Sequence, residues 1–183
     1  MRFFVLLSAL LFAYSVHAAP QQEQRDEMHA LLADRGLITQ LDHVRQAVTD
    51  RTTDLVSNAL GFLGVPYRRG GTSADTGFDC SGFVRAMYTQ TVGLLLPRRA
   101  EEQAAATLPI DRGDMKPGDL VFFNTMRRTF SHVGIYLGEG KFIHSPRSGA
   151  QVRVEDLSTS YWQRRFNGAR RVDSAAAAIE PEI

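Results

Sequence analysis

His132-Val133-Gly134-Ile135-Tyr136-Leu137-Gly138-Glu139-Gly140-Lys141-Phe142-Ile143-His144 decides how the second half of this chain folds. Two runs rich in β-branched and aromatic residues flank Gly-Glu-Gly, which predicts two antiparallel strands joined by a tight loop. Side chains alternate faces along a strand, so His132, Gly134 and Tyr136 share one face. With a three-residue loop, Leu137 pairs with Lys141 and Gly134 with His144. His132 and His144 are then diagonal neighbours on one face, about 7–8 Å apart at the backbone. A two-residue loop would put them on opposite faces.

Further strands are expected around this hairpin. Leu120 to Phe123 follows the turn signal Lys116-Pro117-Gly118-Asp119. Gln151 to Val154 and Ala169 to Val172 read as two more, with a short helical piece around Tyr161 to Arg165 between them. Toward the N-terminus the spacing turns helical. Phe78-Asp79-Cys80-Ser81-Gly82-Phe83-Val84 opens a helix, with Asp79 as N-cap, Cys80 in the first turn, and Phe83, Val84, Met87 and Tyr88 on the buried face. Pro97 to Ala106 reads as loop then helix. Thr53 is placed to cap an earlier helix carrying Leu55, Val56, Ala59, Leu60 and Leu63, ended by Gly64. Glu27 to Arg51 has helical spacing broken at Gly36. Helices followed by a run of strands predict an α+β fold with a mainly antiparallel sheet.

The first residues read as a secretory signal. Arg2 precedes a nearly all-apolar run from Phe3 to Val16, and Val16-His17-Ala18 places small residues where a signal peptidase reads. The run is shorter than the roughly 20 residues that span a bilayer. Residues 1–18 are therefore expected to be removed, leaving a partly helical N-terminal extension at 19–52, the main domain at 53–173 and a disordered Ala-rich tail at 174–183. Periplasmic or secreted location follows, with no stable membrane insertion once the signal is gone. Without Arg2 the basic and acidic residues balance at 20 each. Such a chain is not expected to bind nucleic acid along a basic groove.

Exported proteins use cysteine in pairs, yet Cys80 is the one cysteine here. Its neighbours Asp79, Ser81 and Gly82 are small or polar, which suits a surface facing substrate. A thiol attacks as its thiolate. A helix N-terminus and a nearby imidazolium are expected to lower its pKa from about 8.5. Of the five histidines, His17 leaves with the signal, and His29 and His43 fall in the amphipathic N-terminal segment. His132 and His144 remain. His132 would take the thiol proton, and His144 would fix its ring orientation and tautomer. Two histidines with no acidic residue at ligand spacing are too few for a metal, so no metal and no cofactor is expected. Tyr67, after a proline and before a glycine-rich turn, either donates to an oxyanion with the Cys80 N–H or packs as an ordinary tyrosine.

Five blocks in order resemble the NlpC-type family of cell-wall peptidases: Tyr67-Arg-Arg-Gly-Gly71, Phe78 to Val84, Gly118-Asp-Leu-Val-Phe-Phe123, Ser131-His-Val-Gly-Ile-Tyr-Leu-Gly138 and Phe142-Ile-His-Ser145. The resemblance runs from about Thr53 to Val172. It implies a papain-like fold, Cys80 as nucleophile, His132 as base, His144 as orienting residue and Tyr67 on the oxyanion side. It further implies that Asp79 and Ser81 contact the free amino end of a peptidoglycan stem peptide. The implied partners are peptidoglycan peptides, cut at the D-γ-glutamyl–diaminopimelate or the D-alanyl–diaminopimelate bond. An amidase or acyltransferase of the same fold, and a non-catalytic wall-binding module, are the alternatives.

Overall fold

The structure, a computed structural model, describes residues 37–173 apart from 126. The expected signal, the break at Gly36 and the C-terminal tail lie outside the described residues. The chain divides into two compact units after Arg45, and only the opening of one helix is described in the first. The sheet, the core and the candidate site all belong to the second unit, which begins at Gln46.

Helix α1 runs Leu37–Leu60 without interruption. Thr53 caps nothing: its hydroxyl donates to the Thr49 carbonyl at 3.0 Å, one turn back inside the same helix. The helix expected to start at Thr53 is thus the continuation of an earlier one. Leu55 and Ala59 are its buried contacts with the core.

After α1 come two short paired strands, β1 (Thr72–Ser73) and β2 (Gly77–Phe78), then helix α2 (Cys80–Val92) and helix α3 (Ala100–Ala105). Asp79 caps α2 as expected, its Oδ1 accepting from the Gly82 N–H at 2.7 Å. The helix ends on Gly93 in the left-handed region at φ 76°.

Six antiparallel strands follow: β3 (Leu108–Ile110), β4 (Leu120–Phe123), β5 (His132–Gly138), β6 (Lys141–His144), β7 (Arg153–Asp156) and β8 (Phe166–Arg171). Their order in the sheet is β3-β8-β4-β5-β6-β7. A short helix, α4 (Ser160–Gln163), lies between β7 and β8 in sequence. Antiparallel sheet and helices make the α+β fold expected from the sequence.

The two faces of the sheet bury different sets. Leu120, Phe122, Val133, Ile135 and Ile143 pack with Phe83, Val84 and Met87 of α2. Val121, Phe123, Tyr136 and Phe142 pack with Leu157 and Trp162 on the other face. Fully burying such a side chain is worth about 1.5–3 kcal/mol, so these alternating sets hold the strand register.

Candidate active site

The β5–β6 hairpin places the two histidines. Ile135 pairs with Ile143 and Tyr136 with Phe142, so Gly134 faces His144 one step further along. The tip differs from the expected one. Gly138 pairs with Lys141, Leu137 is bulged out, and the loop is the two residues Glu139 and Gly140 with φ 51° and 74°. Positive φ at both is the type I′ hairpin turn. The bulge absorbs the residue that a shorter loop would otherwise shift, so the histidines keep one face. Their rings meet, with His132 Nε2 at 2.6 Å from His144 Nδ1.

Gly134 is required for this meeting. A Cβ there would lie 2.8 Å from the Ile143 carbonyl oxygen and 3.2 Å from His144 Cβ. Both are closer than ordinary van der Waals contact, and the first neighbour is backbone.

Cys80 approaches from the sheet's other side. It is the first residue of α2, packs at the edge of the helix-side core and is half-buried. The Val133 N–H, on the amide that joins Val133 to His132, acts on the Cys80 thiol and favours the thiolate. The histidine rings lie on the Trp162 face, so helix and hairpin chemistry meet at the first peptide of β5. Two further contacts fix the approach. The buried Ser145 hydroxyl, next to His144, donates to the Phe78 carbonyl at 2.7 Å. The Gly71 carbonyl accepts from the Asp79 N–H at 3.1 Å and presses so closely on Gly82 that a Cβ there would sit 2.1 Å from it.

The electrostatics overturn one expectation. The Cys80 thiol is raised to about 11, first by burial and then by the Asp79 carboxylate; the backbone N–H groups of Val133, Ser81 and Cys80 only moderate this. His132 is 4% exposed and His144 fully buried. Burial holds both below the usual histidine value, and for His132 the neighbouring imidazole adds to the effect. A helix terminus and an imidazolium were expected to generate a thiolate. With His132 buried and neutral, no imidazolium is present at rest, and desolvation prevails. At rest the thiol and the imidazole are each neutral.

Tyr67 lies near Cys80 and Asp79. Its neighbour Arg68 donates to the Phe78 carbonyl at 2.9 Å, and Phe78 donates to the Pro66 carbonyl at 3.1 Å, which aligns residues 66–68 with the approach to Cys80. The Tyr67 phenol is raised by burial, then by Cys80 and Asp79. It therefore stays protonated at neutral pH and can donate.

Asp79 and Ser81 are heavily engaged. Beyond the cap, Asp79 takes both guanidinium nitrogens of Arg98, Nη1 on Oδ1 at 3.0 Å and Nη2 on Oδ2 at 2.6 Å, and the Gly70 N–H on Oδ2 at 3.0 Å. The Ser81 hydroxyl donates to Asp79 at 3.4 Å and accepts from Arg98 Nη1 at 3.1 Å. Arg98 was not foreseen as part of the site.

Two other residues escaped the sequence reading. Trp162, the single tryptophan, stacks on His132 at 5.8 Å between centroids and meets His144 edge-on at 5.1 Å. Its indole N–H donates to Glu155 Oε2 at 2.8 Å. Glu155 sits on β7 opposite Phe142 and is thus a diagonal neighbour of His144. The same alternation that paired the histidines would have found it, had the expected strand not stopped at Val154.

Comparison with known proteins places this arrangement. The sequence matches the NlpC/P60 family over residues 64–171. It is 46% identical over 136 residues to the murein DD-endopeptidase MepH of Escherichia coli, covering 72% of this chain and 50% of that protein. It is 42% identical over 142 residues to the gamma-DL-glutamyl hydrolase of Bacillus subtilis, covering 76% of this chain and 34% of that protein. The chain thus spans half or less of the length of these relatives. A solved NlpC/P60 family protein from Bacillus cereus superposes with a TM-score of 0.62 at 37% identity, covering 66% of this chain and 39% of that one. Sequence, fold and the hairpin-borne histidines agree: the chain belongs to the NlpC/P60 family.

Proposed function

We propose that this chain is a cysteine peptidase that hydrolyses amide bonds in peptidoglycan stem peptides or cross-links through an acyl-enzyme. The observation that carries the proposal is the buried histidine pair, His132 Nε2 at 2.6 Å from His144 Nδ1, on the strand whose Val133 N–H acts on the Cys80 thiol. That leaves Nδ1 as the ring nitrogen of His132 available to a proton.

Because thiol and imidazole are both neutral at rest, proton transfer accompanies attack. His132 Nδ1 takes the proton as sulfur bonds to the substrate carbonyl carbon. The resulting oxyanion is held by the Cys80 N–H, which lies in the first turn of α2 and has no intrahelical acceptor, and by the Tyr67 hydroxyl. His132 returns the proton to the departing amine as the C–N bond breaks. Water then attacks the thioester, giving its proton to His132. The C–S bond breaks and sulfur recovers a proton.

Asp79, Ser81 and Arg98 form the wall beside the thiol and contact the substrate's peptide. Since Asp79 is neutralised by a two-toothed Arg98, this wall presents a balanced set of donors and acceptors rather than a bare anion. Export with loss of residues 1–18, a catalytic domain at 53–173 and a periplasmic or secreted location belong to the same proposal. The names of the relatives divide between DD-endopeptidase and gamma-glutamyl hydrolase activities, and the bond cut here is the D-alanyl–diaminopimelate or the D-γ-glutamyl–diaminopimelate bond.

The test is digestion of purified sacculi by the protein and by its Cys80→Ala variant, with fragments identified by mass. The expected result is cleavage at one of these two bonds and a loss of roughly 10⁴-fold or more in the variant. Undiminished digestion by Cys80→Ala would end the proposal.

A further inference from the structure

His144 Nε2 is a buried polar atom with no hydrogen-bond partner. Leaving such a group unmade costs about 1–3 kcal/mol, so its surroundings matter. The Glu155 carboxylate stands 3.9 Å from it through Oε1, beyond hydrogen-bond range yet within ion-pair range. Glu155 cannot swing away freely. Its Oε2 accepts from the Trp162 indole at 2.8 Å and its Oε1 from Arg153 Nε at 2.6 Å. Trp162, in turn, lies against both histidine rings.

We propose that Glu155 is a positioning residue of the reaction, acting through His144 to fix which nitrogen of each imidazole carries the proton. The proposal rests on the hydrolase reading above. For His132 to accept at Nδ1, its own proton must be on Nε2. That proton can only be donated to His144 if Nδ1 of His144 is bare. The remaining proton of His144 is then on Nε2, the atom that faces the Glu155 carboxylate. A negative charge there selects this tautomer over the reverse one, which would point a donor at His132 and place the His132 proton on Nδ1, where it blocks the thiol.

The charge serves a second purpose. As His132 becomes imidazolium during attack, Glu155 favours the cation through the intervening ring. The groups facing Glu155 are Arg153 on its own strand, His144 on β6 and Trp162 on α4. Arg153 is half exposed and solvated, so it offsets the carboxylate only in part.

Glu155→Gln isolates the charge, since the amide oxygen can still accept from the indole. The expected result is a kcat lower by about tenfold, the scale of an outer-layer hydrogen-bond partner, with KM held. Glu155 raises the proton affinity of His132, so the ascending limb of the kcat/KM profile should move to lower pH in the variant. A uniform loss across pH, or no loss, overturns the proposal. Should the variant fail to fold, nitrogen NMR of the unmutated protein labelled with ¹⁵N-histidine decides. His144 protonated on Nε2 and bare on Nδ1 is expected at pH 8, and the reverse tautomer overturns it. This spectrum requires no activity, so its outcome is separable from that of the sacculus digestion.

Discussion

Asp119, just before β4, and the histidines His132 and His144 with half-buried Cys80, near the opposite end of the β4–β5 ladder, are polar groups gathered at the same strands, yet they are finished differently. Asp119 is 4% exposed and saturated. Its carboxylate accepts from Arg171 at 2.8 and 2.7 Å and from the Lys116 N–H at 2.6 Å. Tyr136 donates to its carbonyl at 2.7 Å, and the Tyr88 hydroxyl bonds the adjacent Gly118 carbonyl. At the other end the polar groups are incomplete: a thiol, an imidazole bonded through one ring nitrogen, and a second whose Nε2 has no partner. A saturated cluster fixes geometry, whereas an unsaturated one keeps capacity to bind a proton or a substrate atom.

If that contrast is right, substitutions at the two ends should separate activity from stability. Tyr67→Phe, at the open end, is expected to lower kcat by on the order of 10²-fold, the cost of losing one oxyanion donor. Its thermal midpoint should stay near that of the unmutated protein, because Tyr67 is half-buried rather than part of the core. Steady-state cleavage of purified muropeptides checks the first and a melting curve the second. An unchanged kcat would return Tyr67 to the role of an ordinary packed side chain.

Asp119→Asn, at the closed end, should do the reverse. It removes the charge facing Arg171, whose side chain is 36% exposed and can be resolvated in part. A loss of about 2 kcal/mol in urea unfolding is expected, with kcat per folded molecule unchanged. A drop in kcat as large as the one for Tyr67→Phe would mean the two ends are mechanically coupled and the contrast is false.

How much of this was legible beforehand follows from what each element depends on. The histidine pair was legible because strand alternation is a local rule, and the one conditional step, loop length, was rescued by the bulge at Leu137. Asp79 and Cys80 were legible because a cap and a first turn are read from adjacent residues. β3 was not: it is an edge strand of Leu108–Ile110 with Pro109 in its middle, and a proline argues against a strand until the missing N–H is known to face no partner. Thr53 resembled a cap because threonine serves both at caps and inside helices. The thiol's raised pKa was out of reach, since burial of Cys80 and His132 is a property of the packed molecule. Arg98 and Trp162 were missed as site residues because only the packed molecule brings them there, whereas Glu155 was missed because the expected strand stopped one residue short of it.

The smallest effect is also the most direct check on that burial. In the unfolded chain, His132 and His144 take up protons below about pH 6.5. In the folded protein both are held below that value, chiefly by burial. The unfolded state then binds more protons, so stability present above pH 6.5 is lost as pH falls below it. Glu155 acts lower. Its carboxyl is depressed to about 2, first by His144 and with help from Trp162 and Arg153, so its contribution is present above the ordinary value of 4.5 and disappears between there and about 2. Urea unfolding at pH 7.5 and 5.5 separates the windows, because only the histidines titrate between those points. A loss of about 1 kcal/mol per buried histidine is expected at pH 5.5. His144→Gln should unfold with roughly half that pH dependence, and equal stability of the unmutated protein at the two pH values would mean that the histidines are open to water, which would also remove the reason for a neutral resting pair.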